Sequence, residues 1–196
     1  MRKSSAILLA AAAALFLGGC LVTSVMPFYT EKDLVFEPAL VGDWINKDKD
    51  ASHEVWRLEK SGERAYRFTL IEERQATVME AHAFKLQGQL FLDVASMDRD
   101  VRVIPPHCLL KVTSVTPTLK MSHLDNDWLR TLLAKDSTAI PHHVVRSGDK
   151  PDDLRVVLTT NTPELQKFVL KHLDTAGAWK AEVELKREFS PAGVQP

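Results

Sequence analysis

Apolar and polar residues alternate along much of the chain with the period of two that is typical of strands with one buried and one solvated face. The clearest run is 179–186, where apolar residues alternate with lysine and glutamate. The same alternation is present at 56–59 and 66–70. These segments are predicted to be strands, and the short distance between the last two makes them neighbours in a sheet.

The dipeptide Gln87-Gly88 separates two further runs of this kind, at 76–86 and 89–94. Glycine in that place allows the positive φ of a tight hairpin turn. Further strands are predicted at 107–115, 118–123, 142–146 and 154–160. Short connections between strands favour a largely antiparallel meander.

Two segments late in the chain have the period of a helix instead. The first is 126–135, which follows a candidate capping residue, Asp125. The second starts at Thr162, a candidate N-cap, with Pro163 in its first turn. Two helices cannot cover both faces of a sheet of about 8–10 strands, so the sheet must curl on itself. The predicted fold class is α+β and mostly β: a curled antiparallel meander or partly closed barrel, with a helix plugging an opening or packing outside.

The first residues have the layout of a secretory signal peptide. Arg2 and Lys3 precede an apolar run over 6–17. As a helix this run is about 18 Å long, which is too short for a hydrocarbon core of about 30 Å. The small residues Gly18 and Gly19 follow it, in the place where a peptidase cleaves.

Leu17, Gly18, Gly19 and Cys20 resemble the lipobox of bacterial lipoproteins. The resemblance implies that residues 1–19 are removed and that Cys20 carries a covalent lipid, the one added group predicted for the chain. Two or three acyl chains anchor a protein stably in a membrane. Leu21, in the place where aspartate tends to retain Gram-negative lipoproteins in the inner membrane, implies the outer membrane and the periplasm, if the organism is Gram-negative.

The rest of the chain is predicted to form one domain. Residues 20–33 read as a lipidated N-terminus and tether, residues 34–189 as a single mostly-β domain and residues 190–196 as a tail. Loss of Arg2 and Lys3 from 25 basic side chains leaves 23 against 26 acidic ones, a formal net charge of −3. This composition is not that of a nucleic-acid-binding protein.

Gly42 and Trp44 form a Gly-x-Trp motif at the start of a predicted strand. It resembles the opening motif of lipocalins, in which the tryptophan closes one barrel end. The threonine-aspartate-tyrosine turn motif of typical lipocalins is absent from the sequence, and two helices replace the usual single one. The resemblance therefore implies only a curled sheet with an apolar interior, and Trp44 as an ordinary core residue is the alternative.

The candidates for chemistry are few. His107 and Cys108 are adjacent, so on a strand they point to opposite faces, which favours a buried inert thiol over a nucleophile and base. The same objection applies to His142 and His143 as joint metal ligands, and no spaced ligand motif accompanies them, so no metal site is predicted.

Acidic residues give no clear site either. The run 125–127 begins like a calcium loop but lacks the glycine turn and the distal glutamate, so helix capping explains it better. Asp93, Asp98 and Asp100 can supply a carboxylate pair, yet nothing identifies an acid and a base among them. No hydrolase, phosphate-binding or dinucleotide motif is present in the sequence.

Three functional classes follow from these features. The first is a membrane-tethered, non-catalytic binding domain that holds an apolar or amphipathic ligand in the mouth of its curled sheet. The second is an envelope interaction or assembly protein that contacts a membrane-protein partner through an exposed sheet edge or the 124–136 region. The third is a hydrolase without a recognisable motif. The sequence leaves the ligand and the partner open.

Overall fold

The computed structural model describes residues 21–46, 54–72, 75–97, 104–146 and 153–188. Within these residues the strands are β1 (Thr23–Ser24), β2 (Gly42–Ile45), β3 (Val55–Lys60), β4 (Tyr66–Glu72), β5 (Gln75–Leu86), β6 (Gln89–Ser96), β7 (His107–Ser114), β8 (Thr118–Leu124), β9 (His142–Arg146), β10 (Leu154–Leu158) and β11 (Trp179–Arg187). The helices are α1 (Asn126–Lys135) and α2 (Thr162–Lys171), and a 3-10 helix spans Pro38–Leu40.

Eight of these strands form a closed antiparallel barrel. Strands β2 to β8 follow one another as a meander, and β11 fills the place between β8 and β2. The closing register pairs Trp44 with Arg187 on β2 and β11, and Leu119 with Leu185 on β8 and β11. The predicted antiparallel, mostly-β fold with two late helices is confirmed, and the sheet closes completely.

The barrel has two distinct ends. The turn end carries the connections 61–65, 87–88 and 115–117 and the 3-10 helix that precedes β2. At the opposite end, named the helix end here, β6 stops, β7 begins and β8 passes into α1. Gln87 and Gly88 have φ values of 48° and 86°. Two positive φ values are what a two-residue turn of type I′ requires, so the hairpin predicted there is confirmed.

Alternate residues of the barrel strands fill its interior. This cluster has four large aromatic side chains surrounded by aliphatic ones. Its members are Leu40, Trp44, Trp56, Leu58, Tyr66, Phe68, Leu70, Met79, Ala81, Ala83, Leu92, Val94, Leu110, Val112, Leu119, Met121 and Leu185. Each fully buried large apolar side chain stabilises the fold by about 1.5–3 kcal/mol, so this cluster is a main source of stability.

Both helices pack outside the barrel. Their apolar faces meet the outward side chains of β5, β6 and β7 together with β10, in a second core. Phe84, Phe91 and Leu109 belong to the barrel side of this core, and Leu129 and Phe168 belong to the two helices. Of the two placements predicted for a helix, plugging an opening or packing outside, the second is therefore the one observed.

The two helix caps test the predicted starts of the helices. Asp125 caps α1, where its Oδ1 accepts from the Trp128 amide at 2.6 Å, as predicted. The N-cap of α2 is Asn161, whose side chain accepts from the Glu164 amide at 3.0 Å. The prediction of Thr162 as N-cap was wrong by one residue, because the Thr162 hydroxyl donates to the Pro27 carbonyl at 2.7 Å instead.

The segment predicted as a tether is part of the domain. β1 pairs with β7 on one side and with β10 on the other. Val22 is 4% exposed and Phe28 is 1% exposed, and both belong to the second core. The tether prediction was wrong for residues 21–33, because Val22 and Phe28, although their spacing has no regular period, are buried against other elements.

Candidate functional site

The predicted lipidation site lies outside the described residues. This holds for Cys20 and for the lipobox residues Leu17, Gly18 and Gly19. Lipidation therefore stays a prediction. In the described part of the chain, no helix has both the length and the apolar character needed to cross a membrane.

Trp44 is fully buried at the seam where β2 meets β11. Its Nε1 donates to the Leu40 carbonyl in the 3-10 helix at 2.9 Å. The guanidinium carbon of Arg187 lies 4.5 Å from its ring centroid, and Arg187 also donates to the carbonyls of Val41 and Ala39 at 2.7 and 2.6 Å. These contacts tie the chain before β2 to the end of β11.

Gly42 is required by the same seam. Its φ is +141°, a backbone conformation that residues with a side chain rarely adopt. A Cβ there would also lie 2.6 Å from Nη1 of Arg187, which its hydrogen bonds hold in place. This explains the glycine in the Gly-x-Trp motif, whose barrel-closing role stays a prediction.

A groove of about 600 Å³ lies outside the barrel, between α1 and the β9–β10 pair. Its apolar lining consists of Leu133, Ala134, Val144 and Leu154. Its polar lining consists of Asp127, Arg130, Thr131 and His142. The ligand site was expected in the mouth of the curled sheet, whereas this groove is built on the outer helix and the outermost strands.

The local structure explains why these side chains converge. On α1, positions 127, 130, 131 and 134 recur every three or four residues and so share one helix face. On β9, His142 and Val144 are two residues apart and so share one face of the strand. The neighbouring His143 and Val145 therefore point to the other face, and the two histidines do not meet as joint ligands.

Arg130 and His142 are the two basic side chains that line the groove. Arg130 Nη1 lies 3.8 Å from Asp127 Oδ1, and the Asp127 side chain is 77% exposed, so this ion pair is weak. His142 Nδ1 lies 2.9 Å from the Ile140 carbonyl. Because a carbonyl oxygen only accepts, Nδ1 is the donor, and Nε2 is left to face other partners.

A second polar site joins the N-terminal segment to the outside of the barrel. Asp93 is 1% exposed, its Oδ1 lies 2.6 Å from His107 Nδ1, and its Oδ2 accepts from the Phe28 amide at 2.8 Å. Ser24 pairs with His107 across β1 and β7. The Ser24 hydroxyl donates to the Leu158 carbonyl, however, and the residue is fully buried, so the three side chains hold structure together and present no nucleophile.

Cys108 follows the predicted inert behaviour. It is 7% exposed, and burial together with the nearby carboxylate of Asp93 raises the pKa of its thiol to about 12. A thiol with so high a pKa is almost never ionised at neutral pH, and the thiolate is the reactive form. Its burial and raised thiol pKa therefore favour a structural Cys108 over a nucleophile with His107 as its base.

The remaining sequence candidates do not form a site. Asp98 and Asp100 lie outside the described residues, so only Asp93 of the three acids can be placed. Within the ranges that the structure describes, no three His, Cys, Asp or Glu side chains come close enough to hold a metal ion. The groove is therefore the best-defined candidate site.

Sequence reasoning did not find this groove. Leu154 and Val144 come from two strands, and Ala134 comes from a helix that precedes both. A usable signal was nevertheless present, since two consecutive valines at 144–145 cannot both be buried by a sheet with one buried face.

Comparison of the chain with protein-family models, with curated proteins and with solved structures finds no match.

Proposed function

We propose that this chain is a membrane-tethered lipoprotein of the cell envelope with a non-catalytic binding domain, and that the domain binds an amphipathic molecule in the groove between α1 and β9. The groove is the observation that carries this proposal. Its volume of about 600 Å³ lies within the range of roughly 300–1,000 Å³ of small-molecule sites. Lipidation at Cys20 supplies the tether, in the outer membrane if the organism is Gram-negative.

The lining sets the chemistry of the ligand. Leu133, Val144 and Leu154 offer an apolar surface for an acyl chain. Arg130 is held only by a weak, exposed ion pair. An anionic group of a ligand can therefore replace Asp127 as its partner at a small cost in free energy. The proposed ligand class is therefore an anionic amphiphile, such as a fatty acid or a phospholipid.

A groove-filling substitution tests the proposal. Ala134 is exposed and lines the groove, so Ala134→Trp fills it without disturbing the core. Lys135 is exposed on the same helix and does not line the groove, so Lys135→Trp is the matched control. We expect saturable, low-stoichiometry uptake of anilinonaphthalene sulfonate, followed by fluorescence titration, in the wild type and in K135W but not in A134W.

Arg130→Ala probes the ionic contact. Loss of one charge-assisted hydrogen bond, about 1.5–3 kcal/mol, should weaken the binding of the sulfonate probe by roughly tenfold or more. A fatty acid should displace the probe from the wild type. Binding in A134W equal to that in the wild type would exclude the groove as the binding site.

A second candidate function is the binding of a partner protein at the β9 edge. β9 is the outermost strand of the described sheet, and its Val144 and Val145 are 49% and 41% exposed. Such an edge can accept an extended segment of another chain as an added strand. Val145→Lys, on the face away from the groove, should abolish this pairing while leaving probe binding unchanged.

A further inference from the structure

The position of Leu21 fixes where a lipid on Cys20 would leave the domain. Leu21 is 7% exposed and forms a β-bridge with Asp125, directly before α1. Asp125 directly follows β8 at the helix end of the barrel, so Leu21 lies there too. Consecutive Cα atoms are about 3.8 Å apart, so a lipid on the preceding residue would be attached one residue from this end. No flexible linker separates such an anchor from the folded domain. The anchor would therefore hold the helix end close to the bilayer.

Exposed apolar side chains gather at the same end. Met26, Met97 and Ile104 are 43%, 38% and 72% exposed, and they are named the helix-end patch here. Among the described residues, no exposed large apolar side chain lies in the three turns 61–65, 87–88 and 115–117. Single exposed apolar residues are ordinary, whereas neighbouring ones can form a patch that contacts a membrane.

The strand register brings the patch together. Ala95, His107 and Ser24 stand side by side on β6, β7 and β1. Met97 and Met26 are two residues beyond this row, and Ile104 is three residues from it. At about 3.3 Å per residue, the Cα atom of each of the three residues lies within roughly 10 Å of this row.

We propose that the helix end of the barrel docks on the membrane surface, with Met26, Met97 and Ile104 inserted at the lipid–water interface. This inference rests on the proposed attachment at Cys20 but not on the proposed ligand. Apolar side chains inserted beside an anchor add to its hold on the bilayer. The N-terminal end of α1, which carries the groove residue Asp127, then also lies at the membrane-facing end.

The test attaches the chain chemically, so that it does not depend on lipidation in the cell. A chain that starts at Cys20 is coupled through that thiol to maleimide-bearing phosphatidylethanolamine in vesicles of phosphatidylethanolamine and phosphatidylglycerol. Cys108 does not compete, because it is buried and its thiol pKa is raised to about 12. A fluorescent amino acid is placed at position 104 or, as control, in place of the exposed Glu63 at the turn end.

Nitroxide-labelled phospholipids then report the distance of each fluorophore from the bilayer. We expect the fluorophore at 104 to lose most of its emission and the fluorophore at 63 to keep most of it. Equal quenching at the two positions would overturn docking. Replacement of Met26 and Met97 by glutamate should reduce quenching at 104 while the chain stays coupled, and unchanged quenching in that variant would overturn the role of the patch.

Discussion

Removal of residues 21–33 is expected to abolish cooperative folding. β1 joins β7 to β10, and Val22 and Phe28 fill the second core. Loss of a buried phenylalanine alone costs about 3–5 kcal/mol, against a total stability of about 5–15 kcal/mol for a domain. Deletion of the whole segment also leaves Asp93 without the Phe28 amide, so the losses together should exceed the available stability.

Circular dichroism during thermal and urea unfolding measures this directly. A chain that begins at Leu21 should show one cooperative transition, and a chain that begins at Leu34 should show none. Phe28→Ala in the longer chain should lower the free energy of unfolding by about 3–5 kcal/mol. Equal transition temperatures for the two chains would mean that the segment is a tether after all.

Trp44→Ala should lower the free energy of unfolding by about 3–5 kcal/mol, as truncation of large core aromatics does. Trp44 is fully buried, and its removal also deprives Arg187 of the ring on which it lies. Trp44→Phe keeps most of the volume and loses the hydrogen bond to Leu40, so its cost should be clearly smaller.

Urea denaturation followed by circular dichroism compares the two variants with the wild type. The order of stability expected is wild type, then W44F, then W44A. A loss under about 1 kcal/mol in W44A is the value typical of surface positions, and it would contradict the burial of Trp44 at the barrel seam.

Local patterns predicted the elements of this fold well. Alternation of apolar and polar residues placed strands at 56–59 and 66–70, and a capping aspartate placed the start of α1. These signals depend on neighbouring residues, so they are readable in one sequence. Closure of the barrel was not readable, because it depends on the pairing of Arg187 with Trp44, which are far apart in the chain.

The failures share the same physical cause. Val22 and Phe28 looked like isolated apolar residues, and only the second core, built by α2, β10 and the outside of the barrel, gives them a buried place. The groove likewise combines side chains that α1, β9 and β10 bring together. Where burial is created by distant elements, the period of the local sequence does not report it.

The most direct test of the proposed function is native mass spectrometry of the protein extracted in mild detergent from its own membranes. We predict a chain that starts at an acylated Cys20 and retains an amphipathic molecule, and we predict that the A134W variant keeps the acylation but loses the molecule. A chain with an unmodified Cys20, or a wild type and an A134W variant that retain the same species, would contradict the account.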